Sequence, residues 1–100
     1  MYSNVCAGIV TFNPDMKKSK ENLDSIIFQV DKVFVVDNAS INIEACKNLV
    51  SSYRDKVSLL CNGENYGIAK ALNQLCQKAT EAEYEWILGY FRIKELGFRI

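Results

Sequence analysis

One hundred residues allow one small domain, and twelve Lys plus Arg against twelve Asp plus Glu leave a formal net charge of zero. That balance, with basic residues scattered rather than clustered, excludes the electrostatic footprint of a nucleic-acid or anionic-membrane binder. An apolar fraction of 49% excludes a disordered chain, and the longest apolar runs are far too short to cross a bilayer.

Val5 to Phe12 reads as a first buried strand, ended by Asn13-Pro14 because Pro14 has no amide to donate to a ladder. Leu23, Ile26, Ile27 and Val30 recur at helical spacing and predict a first helix over about residues 16–29. Val33 to Asp37 is a second strand. Its four consecutive apolar residues, Val33-Phe34-Val35-Val36, suit a strand covered on both faces, as in a parallel sheet. Ser40 or Asn42 can cap a second helix whose apolar stripe is Cys46, Leu49, Val50 and Tyr53.

Val57 to Cys61 is a third strand, and Asn62-Gly63-Glu64-Asn65 has turn chemistry. Asn65 is placed to cap a third helix carrying Ile68, Leu72, Leu75, Cys76 and Ala79 on one face. Tyr84 to Leu88 completes a fourth strand. Strand and helix alternating in this way make an α/β domain of βαβ units around a parallel sheet. Right-handed crossovers then bring Thr11-Phe12-Asn13, Asp37 to Ser40 and Asn62 to Gly67 to one rim.

Ligands of open α/β sheets bind at the carboxyl ends of the strands, which is where Asp37 stands. A carboxylate there can accept the imide N–H of uracil or thymine, where cytosine offers an acceptor. An aromatic at Phe12 can stack on the base, a contact worth roughly 1–3 kcal/mol in nucleic-acid systems. The plainer alternative is that Asp37 caps a helix or turn and Phe12 is core. Asn65-Tyr66-Gly67 leads into a helix whose amino terminus can face phosphate, and Lys70 is either a phosphate partner or a solvated lysine. Gly63 and Gly67 make neither a GxGxxG nor a P-loop. With no His in the chain, His-based triads and His-ligated metals are excluded, and no Ser sits in a nucleophile elbow. Cys6, Cys46, Cys61 and Cys76 match no zinc spacing and are expected as buried free thiols.

Three segments in register resemble the opening of family-2 glycosyltransferases of GT-A fold, in their rhamnosyltransferase-like branch. They are Val10-Thr11-Phe12-Asn13, Val35-Val36-Asp37-Asn38-Ala39-Ser40 and Asn65-Tyr66-Gly67-Ile68-Ala69-Lys70-Ala71-Leu72-Asn73. The resemblance covers residues 4–88. It implies that Thr11 and Phe12 flank a nucleotide base, that Asp37 accepts its imide proton, and that Asn13 and Asn38 belong to the same nucleotide-binding set. It also implies that Asn65, Gly67, Lys70 and Asn73 line the ribose and diphosphate side. Leu72 stands where many members have Arg, which leaves the donor between uridine and thymidine types. The family holds a divalent cation, Mg or Mn, through an Asp-x-Asp-type motif after the fourth strand. Here Gly89-Tyr90-Phe91-Arg92-Ile93-Lys94-Glu95 follows instead, so no metal or catalytic residue is assigned.

The expected fold is therefore a three-layer, Rossmann-like half-domain of four mainly parallel strands in order 3-2-1-4, with helices on both faces. Residues 1–88 are expected to form a truncated nucleotide-sugar-binding domain and residues 89–100 an atypical tail. The resemblance implies the donor-binding portion of an enzyme moving rhamnose or a similar sugar from a dTDP- or UDP-sugar in cell-surface polysaccharide synthesis, inactive alone. A stand-alone nucleotide-binding or regulatory domain, or a self-associating fragment, is the alternative. The expected partners are a nucleotide sugar and, through a sheet edge or apolar face, a second copy; the full-length enzyme can associate peripherally with membrane. With no signal-peptide pattern, the expected location is the cytoplasm.

Overall fold

Consecutive β-branched and aromatic residues, bounded by turns, make β1 (Val5–Thr11), β2 (Lys32–Asp37) and β3 (Val57–Cys61). The computed structural model describes the backbone of residues 4–91 and 94–99 and the side chains of residues 4–89. β4 (Trp86–Phe91) and β5 (Lys94–Arg99) complete a sheet of order β3-β2-β1-β4-β5. The first four strands are parallel in the expected order 3-2-1-4, and β5 returns antiparallel along β4.

Helices α1 (Met16–Ile26), α2 (Ile43–Ser51) and α3 (Gly67–Glu81) connect the parallel strands. The crossovers β1 to β2 and β2 to β3 step the same way, so α1 and α2 share one face. There Leu23, Ile26 and Val50 bury against Ala7, Val33, Val35 and Val57. The crossover from β3 to β4 steps back over two strands and places α3 on the other face. Ala71, Leu75 and Ala79 bury there against Cys6, Val10, Phe34, Val36 and Ile87. The third layer is thus one helix thick. No helix of the described residues is long and apolar enough to cross a membrane.

Gly8 sits at the closest approach of α3 to the sheet. A Cβ built on it would lie 2.7 Å from Ile87 Cδ1 and 3.0 Å from Leu75 Cδ1. Only a residue without a side chain lets Leu75 reach the floor of the sheet.

Several boundaries differ from the sequence reading for physical reasons. α1 stops at Ile26 rather than 29, because Gln29 N–H turns back to Ile26 O, and Val30 is buried beyond the helix end. Asp15 caps α1 by accepting from Lys18 N–H at 3.1 Å. Neither Ser40 nor Asn42 caps α2 through its side chain: Asn42 holds the N-cap position but donates its amide to Pro14 O at 2.9 Å. Asn65 precedes the N-cap of α3, which is Tyr66, and accepts from Gly67 N–H at 2.8 Å. On α3, Ile68 is exposed, and Ala71 takes the buried position that the sequence stripe omitted. The fourth strand begins at Trp86, not Tyr84, because Tyr84 N–H closes a turn on Ala79 O and its ring meets Phe34 edge-on. It also runs on through Gly89-Tyr90-Phe91, so these three residues continue the sheet. Of the remaining residues expected in the tail, Arg92, Ile93 and Ile100 lie outside the described residues.

The thiols follow burial only in part. Cys6 and Cys46 are buried, Cys76 is half-buried, and Cys61 is exposed at the end of the edge strand β3, against the expectation of a buried thiol. Burial pushes the Cys6 thiol up to about 12 and also raises Cys46 and Cys76, so these three stay protonated and act as small hydrophobes at neutral pH.

Candidate nucleotide-binding rim

The parallel register ends three strands together: Thr11 lies beside Asp37, and Asp37 beside Cys61. Asp37 is therefore the last residue of an inner strand, and its side chain is 0% exposed. A carboxylate desolvated to that degree requires donors, and it has three. Thr11 Oγ1 and Ser40 Oγ donate to Oδ1 at 2.6 and 2.5 Å, and Ser40 N–H donates to Oδ2 at 2.8 Å. Both O–H bonds have the short lengths of charge-assisted pairs. Ser40 Oγ in turn accepts from Asn13 N–H at 2.7 Å, and Asn13 Oδ1 accepts from Ile41 N–H at 2.8 Å. The β1–α1 and β2–α2 loops are tied to each other through the Asp37 carboxylate, the Thr11 and Ser40 hydroxyls and the Asn13 carboxamide.

This bonding forces unusual backbone. Asn13 has φ 48° and Ala39 φ 63°, both left-handed. Asn adopts that region with least penalty, whereas for alanine it costs roughly 1–2 kcal/mol. Ala39→Gly is thus expected to stabilise the domain by up to about 1 kcal/mol, read as a higher urea midpoint. An unchanged midpoint would show that the loop is not strained at Ala39.

A second network starts one residue later and faces α3. Asn38 donates Nδ2 to Gly67 O at 3.3 Å and accepts at Oδ1 from Asn62 Nδ2 at 2.9 Å. Asn62 Nδ2 also donates to Gln74 Oε1 at 2.9 Å, and Gln74 Nε2 returns a bond to Asn62 Oδ1 at 2.9 Å. At its far end Gly67 has φ 83°, a conformation for which glycine is suited. Lys70, one turn into α3, holds its ammonium 3.9 Å from the centre of the Tyr66 ring.

Of the residues singled out from sequence, Thr11, Asn13, Asp37, Asn38, Asn65 and Gly67 are joined by these bonds. Phe12 is 54% exposed at the rim, which removes the reading of it as core. Lys70 and Asn73 are exposed on α3, and no described side-chain hydrogen bond links them or Phe12 to the network. Sequence reasoning passed over Ser40 as more than a cap, and missed Gln74 altogether. The available signal for Gln74 was a carboxamide set between Ala71 and Leu75 on the inward side of an amphipathic helix.

Phe12, Ile41, Tyr66 and Ile68 are exposed apolar side chains carried by the rim loops and the start of α3. A cavity of about 320 Å³ lies lower, between α1, α2 and the sheet, over Ile9, Val35 and Leu49, and meets the rim only at Thr11 and Pro14. Among the described residues no three His, Cys, Asp or Glu side chains come together. The described donor set, hydroxyls and carboxamides around a single carboxylate, does not fit a divalent cation.

The rim can therefore offer a planar ligand an exposed aromatic, carboxamides and hydroxyls, and offer an anion the first turn of α3 with its lysine. Comparison with known proteins bears on that chemistry. The family model described as "Glycosyl transferase family 2" matches residues 6–89. A relative from Shigella flexneri, named dTDP-rhamnosyl transferase RfbF, is 42% identical over 77 residues, which cover 73% of this chain and 24% of the relative.

Proposed function

This chain belongs to glycosyl transferase family 2, and we propose that its rim binds the nucleotide of a sugar donor. The observation that carries the reading is the meeting of Thr11, Asp37 and Asn38 with the start of α3 at the carboxyl ends of parallel strands. Ligands of open α/β sheets bind at such an edge. The relative's name points to a dTDP-linked rhamnosyl donor, and the uridine analogue shares the imide edge of the base. The transfer proposed for the whole protein is therefore of rhamnose or a similar sugar to a cell-surface polysaccharide.

On this reading Phe12 stacks on the base, and Asn13, Asn38, Asn65 and Asn73 supply polar contacts to base and ribose. Lys70 leaves the Tyr66 ring for the diphosphate, and Gly67 presents backbone close to it. Asp37 accepts the imide proton through Oδ2, which takes a single described donor. Because the carboxylate is covered, that contact requires the covering loop to open, so Asp37 organises the rim before it recognises a base.

Calorimetric titration with UDP, dTDP and ADP tests the proposal. Binding of either pyrimidine diphosphate at least about tenfold tighter than ADP is expected, since a base edge read by a charged acceptor is worth about 1.5–3 kcal/mol. Equal affinity for ADP would overturn the reading in favour of a general nucleotide-binding domain. The same chain is expected to form no product from dTDP-rhamnose, since Gly89-Tyr90-Phe91-Arg92-Ile93-Lys94-Glu95 stands where the family's Asp-x-Asp-type motif is expected. Turnover by the purified protein would refute that part.

A further inference from the structure

We propose that Asn62 and Gln74 are positioning residues that fix the start of α3 against the Asp37–Asn38 corner, holding the diphosphate end of a donor separately from its base end. The inference rests on the donor-nucleotide reading above. The two side chains form a closed pair, each donating to and accepting from the other at 2.9 Å. Asn62 Nδ2 has two hydrogens, and the second bonds Asn38 Oδ1 at 2.9 Å. Asn38 passes the connection to Gly67 O through its own amide. Three neutral carboxamides thus run without a break from the middle of α3, across the ends of β3 and β2, and back to the first residue of α3.

The two networks divide at a single peptide. The Asp37 side chain bonds only toward the α1 and α2 loops, through Thr11 and Ser40. The Asn38 side chain bonds only toward β3 and α3. Loops that would face a base and a helix start that would face phosphate therefore have separate side-chain anchors, joined through the backbone by Asn38 N–H to Thr11 O and Asn62 N–H to Asp37 O, each 2.9 Å. Gly67 is the permissive point of the second: without a Cβ it can take the φ of 83°, and it is held there by Asn38 at its carbonyl and by Asn65 at its N–H. The relay has no titratable group, so its action is independent of pH.

Gln74→Met keeps length and helix propensity and removes both hydrogen-bonding atoms. In the ligand-free protein, amide exchange at Ala71 to Asn73, whose N–H groups bond the carbonyls of the first turn of α3, is expected to quicken by about tenfold, with β1 and β2 unchanged. Affinity for UDP or dTDP is expected to fall about tenfold and that for uridine or thymidine less than about twofold. The exchanged pair Asn62→Gln with Gln74→Asn has the same combined length and is expected to restore both. Unchanged exchange, equal weakening of nucleoside and diphosphate, or failure of the exchanged pair to restore either property would overturn the proposal. A wild-type chain that binds neither diphosphate would overturn the donor-nucleotide reading instead, and the exchange measurement would still decide whether the relay sets the start of α3.

Discussion

Asp37→Ala is expected to destabilise the domain by about 3 kcal/mol or more and to abolish nucleotide binding. Hydrogen bonds to a charged group contribute about 1.5–3 kcal/mol each, and Asp37 accepts three of them at zero exposure. The bonds share two donor residues and are not additive, which keeps the expected total below their sum. Urea denaturation gives the number; a loss below about 0.5 kcal/mol, the range of ordinary surface substitutions, would show that the network contributes nothing. A ligand role is separated from this structural one by comparing Asp37→Asn with Thr11→Val. The first alters the acceptor, and the second removes a donor while leaving the carboxylate intact. If Asp37 accepts the imide proton, Asp37→Asn weakens UDP or dTDP binding by about 1–3 kcal/mol and Thr11→Val does so by clearly less. Equal effects would confine Asp37 to holding the loops together.

Leu75→Ala is expected to cost about 4 kcal/mol, near the top of the range for buried leucines. Leu75 is 0% exposed, and its methyls lie over Gly8, which has no side chain with which to fill the space left behind. The helix positions one turn away on either side are Ala71 and Ala79, which are equally short. The cavity therefore stays open, and its residual volume is what raises the cost. At about 4–8 °C per kcal/mol for a domain of this size, the melting temperature falls by more than about 15 °C. A loss under about 2 kcal/mol would mean that α3 moves inward, contrary to the close contact it already makes over Gly8.

The fold was legible because each strand carries its own signature. Val33-Phe34-Val35-Val36 admits no half-exposed strand, Pro14 stops β1, and alternation with three amphipathic helices leaves a parallel sheet as the consistent arrangement. β5 was not legible, since Lys94-Glu95-Leu96-Gly97-Phe98-Arg99 alternates too weakly to separate an edge strand from a loop. The position of Asp37 at the rim was readable from strand length. Its burial was not, because the covering donors come from Thr11 on another strand and from a loop bent through a left-handed Ala39. Gln74 was hidden for a related reason: its partner Asn62 is twelve residues away and meets it only after β3 and α3 have packed. Local pattern reports which face a residue takes, and long-range hydrogen bonds choose the partner.

The central position of β1 has a consequence for the order of assembly. β1 precedes the other four described strands along the chain, yet it is bonded on both sides, by β2 starting at Cys6 with Lys32 and by β4 starting at Val5 with Trp86. The first of these pairings closes a short loop; the second waits until β4, about eighty residues later, has been made. Until then α3 has no complete floor, and the backbone of β1 facing β4 stays unpaired, a template for any other extended chain. Non-local pairing of this kind slows folding. The hazard during synthesis is thus set by where the first strand sits in the sheet, and greater final stability would not shorten the interval in which that edge is open.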